Sequence, residues 1–454
     1  MVHSGGTAPD SHRIPLLAPR GSLAELRDSG EAGPLLDARV SAVIEVIGVA
    51  AEGLVSLTPE ARAVLDDAEV VLGGARHLAM LEPRPGRERI PWPSPLRANL
   101  PAVLAMVAGR RVVVLASGDP LVSGVGSTLV DLLGADAVTI RPAVSSVSLA
   151  RAEMRWGAEE SEVVTLVGRH FDGLRRHLSP AARLITLTHG EDSPSRIAAL
   201  LAEEGYAASR LTVLGDLGTP THSRIDGIAG SWEHGAAPRL HLVCIECVPD
   251  PGSVARSLAP GLDDSTFDHD GQLTKRIIRA AALAHLAPQP GDVMWDLGAG
   301  AGSVGIEFAR QHPRIRVYAV ERDQLRAKRI RTNADRLGVP TLEVVVASAA
   351  DATGILPAPD AIFIGGGANG SVIRSAWSVL RPGGRLVVHG VTVETEMTIL
   401  AAHRLHGGVV SRIAVEDLEP IGSFTGWKPS RTITQWAATK PRPHPISTAE
   451  PETT

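Results

Sequence analysis

Short apolar runs alternate with amphipathic stretches along most of the chain, the pattern of β-strands and α-helices following one another in repeated units. VIEVIGV at 43–49 predicts a strand, and Thr58-Pro59 predicts a helix start, with Thr58 as N-cap and a proline where its missing N–H costs nothing. EVVLGG at 69–74 predicts a return strand. RRVVVLASGDP at 110–120 predicts a stronger one, running into a loop and then the small-residue helix start of LVSGVGSTLVDLL. EVVTLVG, RLITLTH, LTVLGDL and LHLVCIECV, spread over 162–248, predict further strands.

Around 248–266 a stretch rich in Pro, Gly, Ser and Asp breaks the pattern, which places a linker at 250–261. After it the period changes. LTKRIIRAAALAHL predicts a helix, and VMWDLGAG, RVYAVERD, LEVVVAS, AIFIGGG and RLVVHGV predict five strands with helical spacers, a doubly wound sheet. Residues 1–41 and 439–454 lack a sustained period and are expected to be a flexible extension and tail. The organisation is thus two α/β domains, 42–249 and 262–438, consistent with 454 residues of chain.

Composition narrows the class. The chain is 44% hydrophobic and 21% charged, and no apolar run approaches the ~20 residues that a membrane helix needs. MVHSGGTAPDSHR has no apolar core of the kind found in signal peptides, and only two cysteines occur, so a cytoplasmic location without disulfides is expected. A net charge of −5 and 3% aromatic content argue against a dedicated nucleic-acid binder. Only four of the 45 basic residues are lysine, so arginine serves as the general solubilising cation and no arginine pair is by itself a ligand clamp.

DLGAGAGSVG at 296–305 carries the densest chemistry. GAGSVG satisfies the G-x-G-x-x-G of nicotinamide and flavin sites, while the whole stretch also reads D-x-G-x-G-x-G, with Asp296 closing a strand and Gly298, Gly300 and Gly302 turning the chain. The second reading explains more residues and is the pattern of class I S-adenosylmethionine methyltransferases. Glu321 at the end of VYAVE is placed to accept ribose hydroxyls in either cofactor family, so it does not discriminate. LRPGGRLVVHG at 380–390 resembles the late helix, turn and strand of methyltransferases.

HDGQLTK at 269–275, just before that fold, together with the IFIGGG loop, resembles the decarboxylating precorrin methyltransferases of cobalamin biosynthesis, over about 262–438. The resemblance implies that Thr274 touches the cofactor, that Ala349 meets the adenine through its backbone, and that His269 and Asp270 stand near the reaction as candidate catalytic groups. Where the family shows a Gly-Asp pair, this chain has Ala347-Ser348. In the first half, VIGV, SGDP with DPLVSGVGSTL, PAVSSVSLA and TLTHGEDSP resemble the tetrapyrrole methylases, two-lobed α/β enzymes, over about 42–249. That likeness implies Gly48, Gly118, Asp119, Gly124 and Ser146 as pocket residues for a second S-adenosylmethionine. The family commonly has G-x-G-P-G after its first strand; here Ala50 replaces the second glycine.

Together the resemblances imply a bifunctional methyltransferase with two cofactor sites. It would methylate two meso carbons of a precorrin and decarboxylate its ring C acetate, from precorrin-6B to precorrin-8X. A tetrapyrrole is the implied small-molecule partner, with no nucleic acid or membrane, and self-association into a homo-oligomer is expected. Arg141, Arg151, Arg155 and Arg169 are candidates to meet its carboxylates. An RNA or protein methyltransferase, or one catalytic domain beside a regulatory cofactor-binding domain, stays open as the alternative. No metal site is expected. Cys244 and Cys247 sit at i and i+3 of a predicted strand, on opposite faces, without a second pair, and His403 and His406 lack a third ligand.

Overall fold

The computed structural model describes residues 43–443, so the extension expected over 1–41 and residues 444–454 of the expected tail lie outside the described residues. The first half is built in two lobes. One is a five-stranded parallel sheet of β1 (Ile44–Val49), β2 (Val70–Gly73), β3 (Glu88–Pro91), β4 (Val112–Ser117) and β5 (Val138–Arg141), in the order β3-β2-β4-β1-β5. The other holds β6 (Glu162–Thr165), β7 (Arg183–Leu187), β8 (Arg210–Gly215), β9 (Ser223–Ile228) and β10 (His241–Glu246), in the order β6-β7-β10-β8-β9, mostly antiparallel. β2 is buried at every position and β4 at all but its last, which is why they read as continuous apolar runs. β9 alternates half-buried and exposed residues, as an edge strand does, and its polar SRIDGI gives little sequence signal.

The second half forms one seven-stranded sheet from β11 (Val293–Leu297), β12 (Arg316–Val320), β13 (Glu343–Val345), β14 (Ala361–Ile364), β15 (Arg385–Gly390), β16 (Val409–Ile413) and a last strand, Ile433–Thr439. Between the last two in sequence stands a separate hairpin, β17 (Glu416–Ile421) with β18 (Phe424–Pro429), so the last strand is β19 and the order is β13-β12-β11-β14-β15-β19-β16. β11 to β15 are the five expected strands. β19 adds antiparallel to β15 and then pairs β16. Lys440, in the stretch expected to be tail, donates through Nζ to the carbonyls of Trp377, Ser378 and Leu380, so the fold continues past Thr439. The strand period of two divides β11 between both faces of the sheet. Met294 joins a core with Phe308 and Phe363, and Trp295 joins the opposite core with Tyr318 and Trp436.

From Cys247 to Asp263 the chain has no helix or strand, yet it is tied down. Arg256 pairs with Glu204 of the first half, and Arg310 Nη2 of the second half donates to the carbonyls of Arg256 at 3.3 Å and Ser257 at 3.4 Å. Arg176 donates across the junction to the Arg310 carbonyl at 2.8 Å. Burial and the neighbouring Arg176 and Arg256 charges bring the Arg310 guanidinium down to about 10.

Past the linker, a buried ion pair anchors the segment that leads into the second fold. Arg279, 0% exposed, donates through Nε to Glu307 Oε1 at 2.5 Å, reaches Asp264 Oδ1 at 3.1 Å and the Leu262 carbonyl, and stacks 4.8 Å over Phe267. Glu307 also accepts from the backbone N–H of Gly261 at 2.6 Å and Leu262 at 3.0 Å. Removing one partner leaves an uncompensated buried charge, so Glu307→Ala is expected to cost roughly 3–5 kcal/mol in chemical denaturation. Asp131→Ala, which breaks the exposed Arg97–Asp131 pair at 3.4 Å, is expected to cost under about 1 kcal/mol. Equal costs for the two would overturn this ranking.

Candidate active sites

β11 ends at the point where the strand order reverses, the place where open α/β sheets bind ligands. The glycine turn follows directly. Gly298, Gly300 and Gly302 all have positive φ, at +70°, +59° and +76°, and Gly302 caps the helix Ser303–Arg310. At Gly300 a side chain is excluded twice, by φ and because a Cβ would lie 2.7 Å from the Gln272 carbonyl oxygen. The HDGQLTK segment therefore packs onto the turn. Ala301 N–H donates to that same Gln272 carbonyl at 3.1 Å, and buried Asn333 holds Asp268 through both its N–H and its carbonyl, at 2.9 Å each, and the Ala301 carbonyl at 3.1 Å. Asn333 has no motif signature, and sequence reasoning missed it.

Glu321, 5% exposed, accepts from Gly300 N–H at 2.9 Å on one oxygen and from Asp323 N–H at 3.0 Å on the other. It ties the tip of β12 to the glycine turn, a role the ribose expectation did not include. Asp296, 1% exposed, accepts from Gly305 N–H at 2.9 Å, and its other oxygen, Oδ1, has no partner among the described residues. Desolvation, with a smaller push from Glu321, raises its carboxyl to about 7.

A cavity of about 1090 Å³ opens beside this turn, lined by Thr274, Gly298, Gly300, the Gly365–Ala368 loop and His389, with the β17–β18 hairpin at one side. Asp296, Gly302, Glu321 and Ala349, expected from the sequence to meet the cofactor, are not among the residues that line it. Ala349 begins a short helix capped by Ser348, which accepts from Asp351 N–H at 3.3 Å. His269 and Asp270 do not line the cavity. His269 Nδ1 accepts from Gly271 N–H at 3.0 Å. Asp270 pairs with Arg326 at 2.9 Å and Arg329 at 2.8 Å, which, with its bond from Gln272 N–H, hold its carboxyl down at about 2. No helix starts at Gln272; the next one is Arg276–Leu286. Both side chains thus shape the strap over the glycine turn. His389 went unnoticed in the sequence. It lies edge-on to Phe363 and its Nε2 sits 2.8 Å from Gln435 Oε1 of β19; burial brings it down to about 4, so the ring is neutral.

The first half has its own cavity, of about 210 Å³, between the two lobes. Gly118, Asp119 and Ser146 line it. Gly48 and Gly124 stand behind. A Cβ on Gly48 would lie 2.0 Å from the Gly118 carbonyl oxygen, so glycine there is set by the close approach of the loop after β4 to the end of β1, and Gly124 caps the helix Val125–Leu133. Asp119 Oδ1 accepts from Leu121 N–H at 2.8 Å, closing the turn. Ala50, at the position where the family pattern has its second glycine, lines the cavity together with Ala51.

Of the arginines considered, Arg141 pairs with Glu45 at 2.9 Å and Arg151 donates to Ser161 Oγ at 3.0 Å, and none of Arg141, Arg151, Arg155 and Arg169 lines the cavity. Arg76 and Arg239 do, and sequence reasoning missed both. Cys244 and Cys247 belong to different cores, and burial pushes both thiols up to about 12. Among the described residues there is no cluster of His, Cys, Asp and Glu that could hold a metal, and no helix long and apolar enough to cross a membrane.

Comparison with known proteins places these features. The family profile of tetrapyrrole (corrin/porphyrin) methylases matches residues 43–228, and that of the precorrin methyltransferase domain matches residues 265–440. A Saccharolobus solfataricus protein described as a probable cobalt-precorrin-6B C(15)-methyltransferase (decarboxylating) is 34% identical over 32% of this chain and 75% of its own. A Salmonella typhimurium cobalt-precorrin-7 C(5)-methyltransferase is 34% identical over 38% of this chain and 84% of its own. A Sinorhizobium precorrin-6Y C(5,15)-methyltransferase [decarboxylating] is 41% identical over 88% of this chain and 97% of its own. A likeness that runs through both halves and nearly the whole of that relative shows that the chain belongs to the precorrin-6Y C(5,15)-methyltransferase [decarboxylating] family.

Proposed function

We propose that this protein methylates C5 and C15 of a precorrin and decarboxylates its ring C acetate, which loses carbon dioxide and stays on the ring as a methyl group, converting precorrin-6B to precorrin-8X in cobalamin biosynthesis. One S-adenosylmethionine would bind in each half. The observation that carries this reading is the presence on one chain of two separate glycine-walled cavities, in two unrelated folds. The shorter relatives each bear one of the two methylations in their names, and the decarboxylating one is named for C(15). We assign C5 methylation to the first half, and C15 methylation with decarboxylation to the second.

S-adenosylmethionine, when bound, supplies a sulfonium-activated methyl group. Meso carbons of a reduced tetrapyrrole are enamine-like nucleophiles, so the protein's part is to hold and desolvate. Holding the carbon in line can contribute about 7–11 kcal/mol, which is why neither cavity needs a strong base. Gly118, Asp119 and Ser146 would hold the cofactor in the first site, and Thr274, Gly298 and Gly300, with Glu321 fixing the turn, in the second. Neutral His389 adds an uncharged polar group to the wall of the second cavity.

Self-association is assigned to the β17–β18 hairpin. Leu418 and Trp427 are cross-strand partners on one face and Ile421 and Phe424 on the other, each between 58% and 78% exposed. A two-stranded ribbon with apolar residues on both faces is marginal alone, and a second copy would cover it. We place the enzyme in the cytoplasm, where its buried thiols stay reduced; cell fractionation would find it in the soluble fraction.

Calorimetry with S-adenosylhomocysteine is expected to count two sites per chain, with Gly118→Val removing one and Gly300→Val the other. A single site, or a preference for a nicotinamide cofactor, would sink the two-site reading. Glu321→Ala is expected to weaken only the second site and to leave a singly methylated product that keeps its acetate; carbon dioxide release at the normal rate would move decarboxylation elsewhere. Phe424→Ser with Trp427→Ser is expected to lower the mass measured by light scattering to that of the single chain, and an unchanged assembly would acquit the hairpin.

A further inference from the structure

Two cations face the first cavity from opposite lobes, and their chemistry deepens the reading above, on which this inference rests. Arg76 stands in the short helix Ala75–Ala79 after β2, and Arg239 in the loop before β10. Arg76 Nη2 donates to Ser117 Oγ at 3.0 Å and lies 3.2 Å from His77 Nε2. The Ser117 hydroxyl is 3.3 Å from the same His77 nitrogen. His77 is 6% exposed, and desolvation together with the Arg76 charge brings it down to about 4, so its ring is neutral and Nε2, which faces two donors, is the lone-pair nitrogen.

The guanidinium of Arg76 is therefore oriented by two neutral acceptors, and its charge is not compensated. Arg87, Arg97, Arg110, Arg111 and Arg141 of the same lobe each meet a carboxylate within 4.0 Å, and Arg62, Arg84 and Arg89 bond backbone carbonyls away from the cavity; among the described residues Arg76 and Arg239 line the cavity with no carboxylate within that distance. The two carboxylates in the cavity wall do not fill the gap. Asp119 closes its own turn on Leu121, and Asp216 stays outside ion-pair reach of both arginines among the described residues. Such a fork, exposed at the cavity and held through Nη2 by Ser117 and His77, matches the planar geometry of a carboxylate.

We propose that Arg76 and Arg239 form a two-sided clamp for carboxylate side chains of the tetrapyrrole, Arg76 pre-oriented by Ser117 and His77, and Arg239 closing from the other lobe. The methyl donor also has a carboxylate, but a single one, balanced by its own ammonium group, and two cations on separate lobes suit a ligand with several acidic arms. The clamp positions the ring and takes no part in bond making.

The test uses the full chain carrying Arg76→Gln, Arg239→Gln or both. For the first-half methylation, KM for the precorrin is expected to rise about tenfold to a hundredfold for each change, the scale of a lost hydrogen bond to a charged group, with kcat changed much less. The Kd of S-adenosylhomocysteine is expected to stay within twofold. An unchanged KM overturns the clamp, as does a Kd for S-adenosylhomocysteine that weakens by the same factor, because the arginines would then serve the donor or the fold. Uroporphyrin, a tetrapyrrole with carboxylates on every ring, separates this inference from the proposed reaction. Even if no precorrin is turned over, uroporphyrin binding to the parent chain that both variants lose supports the clamp, and equal binding, or none to either, overturns it.

Discussion

The second catalytic fold hangs on the buried contact between Arg279 and Glu307. Two ionised side chains leave water here at a cost repaid only if every remaining donor and acceptor is used. Glu307 takes two backbone N–H groups beside the guanidinium, and Arg279 adds Asp264, the Leu262 carbonyl and the face of Phe267. Those partners belong to the chain just after the linker, so the pair converts an irregular segment into a fixed approach to the glycine turn. With that approach fixed, Gln272 can lie against Gly300, and Asn333 can bind both the strap and the turn. The wall of the larger cavity is then a set of backbone surfaces held at hydrogen-bond distance.

The same constraint recurs in the first half with different parts. Gly48, near the end of β1, and Gly118, in the loop after β4, meet at a spacing that leaves no room for a Cβ, and the cavity lies beside that contact. In both halves the glycines of the motif are required first by the protein's own backbone. The cavity walls follow from how closely two backbone segments approach, and Asp119, Glu321 and Asp270 serve mainly to close turns or clamp neighbouring arginines.

The linker is less separate than its composition suggests. Arg256 binds the first half, Arg310 binds the linker carbonyls, and Arg176 reaches over to the end of the helix Ser303–Arg310, whose other end is the glycine turn. One rigid helix thus runs from the junction of the halves to the glycine turn beside the larger cavity.

What the sequence determined by itself were the features set by local physics. Buried strands such as VVLG and VVVLAS are apolar at nearly every position, Thr58-Pro59 specifies a helix start within four residues, and glycine turns need positive φ wherever they occur. Fold class, the order of the two domains and both glycine loops were therefore legible. The edge strand β9 and the hairpin β17–β18 were not, because half-exposed strands carry mixed polarity and their partners lie far away in sequence. The side chains at the cavities divide in the same way. Gly118 and Gly300 are legible because backbone geometry demands them, whereas Arg76, Asn333 and His389 are ordinary residue types whose meaning comes from a neighbour 32 to 46 positions away, Ser117, Ala301 and Gln435 respectively. Only the tertiary structure decided those, since burial and hydrogen bonding at such separations exist only once the chain has folded.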